Sequence, residues 1–275
     1  MGALGPRRFW KLSGSGNDFV FFDATREPAG VLATANVIGR LCERRTGVGA
    51  DGVVLLEAHQ VHAFSMRYFN RDGSLAEMCG NAALCSVRLA TELGLASREG
   101  SFTFQTVSGP VTGRLRGAEP EIDMVPITDL QRSVETALEP GERRIGFARV
   151  GVPHLVLEVA DVAAVDVVRR GRALRNLATL RDGANVNFVS RDTSGTWQVR
   201  TYERGVEDET LACGTGAIAS AALLDAWGAI PHQVALRTAS GRDLTACLPP
   251  PLSPGAPPVL RGEGRVVFEG ILRDV

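Results

Sequence analysis

The chain has 275 residues, which at about 150 residues per domain predicts two modest domains. Hydrophobic residues make up 44% and charged residues 22%, with no apolar run near the roughly 18 to 20 residues needed to cross a bilayer, which excludes a helical membrane span and whole-chain disorder. Thirty basic residues against 31 acidic ones leave a formal charge of -1, so no general attraction for nucleic acid or anionic lipid is expected.

Arg7 and Arg8 are not followed by an apolar stretch of signal-peptide type, and the expectation is a cytoplasmic protein. The apolar run 19–22 follows SGSGND and predicts a strand entered through a tight glycine turn. Residues 31–42 alternate at helical spacing and predict one helix, after which TGVGADG (46–52) breaks the chain before a strand VVLLE. A further strand is predicted over 63–70, closed by the turn RDGS.

The next segment has a counterpart in the second half of the chain. MCGNAALCSVRLATELG (78–94) and ACGTGAIASAALLDAWG (212–228) align on Cys79 and Cys213. Both have Gly next, Ala four places on (Ala83, Ala217), Ser seven places on (Ser86, Ser220) and Gly after fifteen (Gly94, Gly228). Each predicts a helix with cysteine at its first turn and glycine at its C-terminal cap. The likeness extends downstream, from FQTVSG to LRTASG, and upstream, from YFNRDG to TYERG, so a unit of strand, turn, Cys-led helix and strand is used twice. Two such units predict two similar α/β domains facing each other across a cleft, each a curved sheet around a small-residue helix. PEIDMVPITD (120–129) marks the crossover between them. Six of the fourteen prolines fall in 249–258, a rigid excursion before a last strand, RVVFEGILR, which is expected to return to the first domain's sheet. The predicted domains are 1–122, completed by 261–275, and 123–260.

Five cysteines, Cys42, Cys79, Cys85, Cys213 and Cys247, with no CxxC pair, fit neither a disulfide scaffold nor a structural zinc site. Cys42, Cys85 and Cys247 read as buried small hydrophobes. Cys79 and Cys213 differ because a helix N-terminus exposes unpaired N–H groups and partial positive charge, which favours a thiolate and can also hold a carboxylate. Gly80 and Gly214 leave those amides open to a ligand. Two thiols facing one pocket suit a two-base reaction, in which one removes a proton and the other supplies one from the opposite face. Thiol–disulfide exchange would use the same residues but lacks the short spacing of a redox site.

The chain strongly resembles the diaminopimelate epimerases. The resemblance rests on GSGNDF (14–19), GVGADG (47–52), FNRDGS with MCGN (69–81), GVPH (151–154), NVNF (185–188), YERG (202–205) and LACGTGA (211–217), and it covers nearly the whole chain. It implies interconversion of LL- and meso-diaminopimelate without pyridoxal phosphate or metal, in lysine and cell-wall synthesis, by a homodimer. By that likeness Cys79 is the base on the LL-substrate and Cys213 the acid. Amides from Gly80 to Asn81 and from Gly214 to Thr215 hold the reacting carboxylate, and His154 and Glu203 flank the thiols and the reacting amino group. Asn70, Asn185 and Arg204 lie at the distal end, with Asn17 also on substrate.

Read singly, these residues have simpler explanations. His154 also fits a strand-end histidine, Asn17 and Asn185 fit turn terminators, and Arg204 fits a solvated charge. Asp18, Asp51 and Asp72 read as turn and loop organisers, and no His and carboxylate cluster suggests a metal. Three departures bear on side-chain preference. Val152 stands where many family members have Asn, CGNAAL (79–84) replaces CGNGAR, and ERGVEDETLAC (203–213) is one residue longer than usual, an addition expected to shift Arg204 or Glu203 relative to Cys213. The rival functions are racemization of another amino acid and a non-catalytic amino-acid-binding module.

Overall fold

A computed structural model describes residues 5–250 and 255–273, so part of the proline-rich excursion, 251–254, lies outside the described residues. The chain divides into two compact units, one running up to Ile122 and resuming at Gly262, the other Asp123–Arg261. Among the described residues no helix is long and apolar enough to cross a membrane.

In the first unit β1 (Arg7–Gly14) and β2 (Asn17–Ala24) form an antiparallel hairpin through a turn in which Ser15 has φ 52°. The chain then crosses over through α1 (Ala35–Cys42) to β3 (Gly52–Glu57), parallel to β2. The single helix predicted over 31–42 is in fact a 3-10 turn, Gly30–Ala33, and α1, separated at Thr34. Thr34 takes extended backbone as the N-cap, and its hydroxyl turns back to the Val31 carbonyl at 2.8 Å, a local bond that competes with helix continuation. β4 (Ser65–Asn70) runs antiparallel to β3 and pairs with the short β5 (Leu75–Ala76). Next come α2 (Gly80–Glu92), β6 (Ser101–Thr106), β7 (Gly109–Arg116) and β8 (Glu119–Asp123), with β6 parallel to β4 and the last three strands forming an antiparallel meander.

The second unit repeats the plan. After β9 (Ile127–Gln131), β10 (Glu142–Val150) and β11 (Val152–Val159) form the hairpin, and α3 (Val167–Arg175) crosses over to β12 (Asn185–Arg191), parallel to β11. β13 (Trp197–Glu203) runs antiparallel to β12 and pairs with the short β14 (Asp208–Thr210). Then follow α4 (Gly214–Ala226), β15 (Gln233–Arg237) parallel to β13, β16 (Asp243–Cys247) and β17 (Val259–Gly262). The last strand, β18 (Arg265–Leu272), belongs to the first unit and pairs antiparallel with β1.

Strand alternation assigns the two faces of each sheet. Val20, Phe22, Val53 and Leu55 pack with Leu32, Ile38 and Leu41 on the α1 side, which turns Phe19, Phe21 and Val54 to the opposite face, towards α2. In the second unit Leu155, Leu157, Val186, Phe188 and Tyr202 pack with Val167 and Leu174 of α3. His154, Val156, Asn185, Asn187, Thr201 and Glu203 therefore face α4. That helix touches β9 to β13, β15 and β16, and its residues from Gly216 to Leu224 are all buried. A helix apolar on every side is stable only where strands enclose it, which is why Ala and Gly dominate its sequence. Both central helices end in glycine at positive φ, Gly94 and Gly228 each at 73°, where a Cβ would be strained.

Candidate active site

Cys79 is the N-cap of α2, in extended backbone, with its carbonyl accepting from Ala83 N at 2.9 Å. Gly80 and Asn81 are the first helical residues. Asn81 is 3% exposed; its Nδ2 donates to Asn17 Oδ1 at 2.7 Å, and its Oδ1 is buried with no partner. Asn17 in turn donates to Asp51 Oδ2 at 3.1 Å. Behind it lies a charged cluster. Arg44 reaches both oxygens of Asp18, at 3.0 and 2.9 Å, and Asp51 at 2.8 Å, while Lys11 pairs with Asp18 at 2.7 Å and with the Gly49 carbonyl. Burial pushes the Asp18 carboxyl up, but the hydrogen bonds and charges of Arg44 and Lys11 outweigh it and hold its pKa at about 2. Asn70 ends β4 and donates to Ser74 Oγ at 3.0 Å, in a turn that Asp72 organises by accepting from Ser74 N and Oγ.

Cys213 is the N-cap of α4. Its Sγ accepts from Gly216 N at 3.4 Å and lies 3.5 Å from Thr215 Oγ1. His154 is fully buried. Its Nδ1 lies 3.2 Å from Asn187 Nδ2, its Nε2 has no partner, and burial together with the nearby Arg204 charge lowers its pKa to about 3. Glu203 accepts from Thr210 Oγ1 at 2.7 Å, and burial raises its pKa against that bond. Asn185 uses its Oδ1 to accept from Arg204 N at 2.7 Å, and the Arg204 guanidinium donates to the Asp182 carbonyl at 3.1 Å. Asn185 thus holds the backbone of the residue whose charge reaches His154.

The two copies align through their ladders. Phe19 pairs with Gly52 as His154 pairs with Asn185, so Val152, which begins β11, takes the position that Asn17 holds in β2. Tyr68 pairs with Ala76, three residues before Cys79, and Thr201 with Thr210, three residues before Cys213. The additional residue in 203–213 is therefore absorbed in the turn between β13 and β14 and does not displace Cys213 along its ladder. Glu207 makes that turn, at φ 60°, with its carboxylate accepting from Gly205 N, Tyr202 Oη and Arg175 Nε at 3.0, 3.0 and 3.1 Å. Leu84 is wholly buried inside α2.

Sequence reading missed Asn187, Thr201 and the Arg44–Asp51 support of Asn17. The signal for Asn187 was its spacing from Asn185, since residues two apart in a strand share a face. Among the described residues no group of three or more His, Cys, Asp or Glu is arranged to hold a metal ion.

Solved structures share this fold. A phenazine biosynthesis protein of the PhzF family from Bacillus anthracis matches with a TM-score of 0.73 at 14% identity over 98% of this chain and 99% of its own. A hydroxyproline epimerase from Agrobacterium vitis matches with a TM-score of 0.69 at 17% identity over 99% and 92%. Each unit of this fold carries a cysteine at the N-cap of its central helix, and the family model and curated relatives make the protein an isomerase of the epimerase class, acting on an amino-acid substrate. The chain belongs to the diaminopimelate epimerase family, whose model matches residues 9–127 and 146–247. The diaminopimelate epimerase of Gemmatimonas aurantiaca is 46% identical over 272 residues, covering 95% of this chain and 98% of that protein. That of Aquifex aeolicus is 40% identical over 250 residues, covering 86% and 88%.

Proposed function

We propose that this isomerase interconverts LL- and meso-2,6-diaminopimelate with two thiols, without pyridoxal phosphate or metal, as a step in lysine and peptidoglycan precursor synthesis. The observation that carries the reading is the recurrence of an N-cap cysteine on a buried central helix in both units of a family member. Inversion needs a base on one face of the α-carbon and an acid on the other. One cysteine acts as thiolate and its counterpart as thiol, and they exchange roles when the reaction runs backwards.

Abstraction of the α-proton pushes charge into the adjacent carboxylate. Open amides at the first turns of the two helices, at Gly80, Asn81, Gly214 and Thr215, are donors suited to that charge. The unpartnered Asn81 Oδ1 is an acceptor of the kind a substrate ammonium needs. Burial raises the Glu203 pKa, and an ammonium docked beside it would favour the carboxylate form. Asn17, Asn70, Asn185 and Arg204 are assigned to the rest of the substrate, Arg204 offering its guanidinium to a distal carboxylate.

The test is α-hydrogen exchange in deuterated water with LL- and meso-diaminopimelate and a panel of ordinary amino acids, under reducing conditions and without pyridoxal phosphate. Exchange with inversion of diaminopimelate alone is expected. Cys79→Ala and Cys213→Ala are each expected to lower inversion by at least about a thousandfold, the scale of losing a group that acts as half of a unit, with circular dichroism unchanged. Exchange confined to another amino acid would reassign the substrate, and full activity in either variant would sink the mechanism.

A further inference from the structure

The clearest difference between the two units lies on the sheet face that meets the central helix. In the first unit the positions are Phe19, Val54 and Tyr68, with Val54 opposite Tyr68 and the Phe19 and Tyr68 rings edge to face at 5.7 Å. In the second unit the same ladder positions hold His154, Asn187 and Thr201, with Asn187 opposite Thr201. All three are buried. Since the first unit fills these positions with two aromatic rings and a valine, packing does not require an imidazole, an amide and a hydroxyl, and burying polar groups is costly unless they are bonded.

The bonds of Asn187 have one consistent assignment. Its Nδ2 lies 3.0 Å from the Leu155 carbonyl, which only accepts, so the amide nitrogen must face that side. Its Oδ1 accepts from Thr201 Oγ1 at 2.9 Å. The second hydrogen on Nδ2 points to His154 Nδ1 at 3.2 Å, and an amide nitrogen has no lone pair to receive a proton in return. Nδ1 must therefore be bare, and the ring proton sits on Nε2. Nε2 is the buried atom that finds no partner within the protein. A Cβ at Gly216, in the first turn after Cys213, would overlap Asn187 Oδ1, so the amide is also seated against the head of α4.

We infer that Asn187 is a positioning residue that fixes His154 as the neutral Nε2–H tautomer, making it a directed hydrogen-bond donor to an anionic group, a thiolate or carboxylate, and not a proton acceptor. Thr201 holds Asn187 in the orientation this requires. The effect on turnover rests on the epimerase reading, whereas the tautomer does not.

The experiment is nitrogen-15 NMR of the full chain carrying His59→Gln, His62→Gln and His232→Gln, which leaves His154 as the only histidine. The expected spectrum at pH 7 has an unprotonated Nδ1, a protonated Nε2 and a through-bond coupling from Asn187 Nδ2 to Nδ1. Asn187→Leu is expected to abolish the coupling, mix the tautomers and lower kcat for α-hydrogen exchange by about ten- to a hundredfold, the range for a residue acting through another, with KM changing less. Asn187→Asp, whose carboxylate accepts, is expected to move the proton to Nδ1. A wild-type proton on Nδ1, absence of the coupling, or a tautomer unmoved in both variants would overturn the inference. A normal tautomer in a protein that exchanges no amino acid's α-hydrogen would leave the inference standing and remove the epimerase reading.

Discussion

Asp18 is the residue on which the support of Asn17 converges, because it neutralises Lys11 and Arg44 together and joins them to the loop carrying Asp51. Its folded pKa of about 2 lies below the unfolded value of roughly 3.9, so the stabilisation is fully present above pH 4 and is lost as pH falls through 2. Asp18→Asn is expected to cost roughly 1–2 kcal/mol at pH 7, after allowance for partial exposure. In urea titrations its deficit against wild type should shrink between pH 4 and 2; a constant deficit would show that the pairing does not drive it. Residues of this kind were only partly legible. Cys79 and Cys213 announced themselves by repetition, and Asp18 and Asp51 by loop composition. The partners of Asn17 and His154 come from a loop, a helix and a strand 33 to 64 residues away, and a spacing rule carries no record of such contacts.

At the scale of the element, the head of α4 is built around an absent side chain. Alanine in a helix is ordinarily better than glycine by about 1 kcal/mol. At Gly216, however, the added methyl would overlap Asn187 Oδ1 and stand 3.2 Å from Cys213 Sγ. The equivalent position in α2 is Ala82, which is fully buried. Gly216→Ala is therefore expected to destabilise by about 1–3 kcal/mol, as overpacking does, and to lower kcat, measured by thermal melts and α-hydrogen exchange. An alanine that stabilised the protein and left exchange intact would show that the helix head has slack. The two central helices were legible down to their caps, because cysteine, small residues and a terminal glycine recur together. The interruption at Thr34 was not, since hydrophobic spacing on both sides of it stays in phase.

At the scale of the molecule, the first unit depends on a strand from far along the chain. β18 pairs with β1 from Arg7↔Leu272 to Ser13↔Arg265, and Phe268 meets the Phe9 ring edge to face at 6.0 Å. Removing residues 263–275 exposes the whole outer edge of β1. Limited proteolysis of that truncated chain is expected to cut the first unit well before the second, and equal resistance of the two units would count against β18 as a structural member. The same pairing sets an order of events during synthesis. The second unit is one continuous stretch, Asp123–Arg261, and has everything it needs once that stretch leaves the ribosome. The first unit, although made earlier, has to wait for residues beyond Gly262 before its sheet can close. The half translated first is thus the half finished last, and for that interval its unpaired β1 edge is the part of the nascent chain most in need of a chaperone.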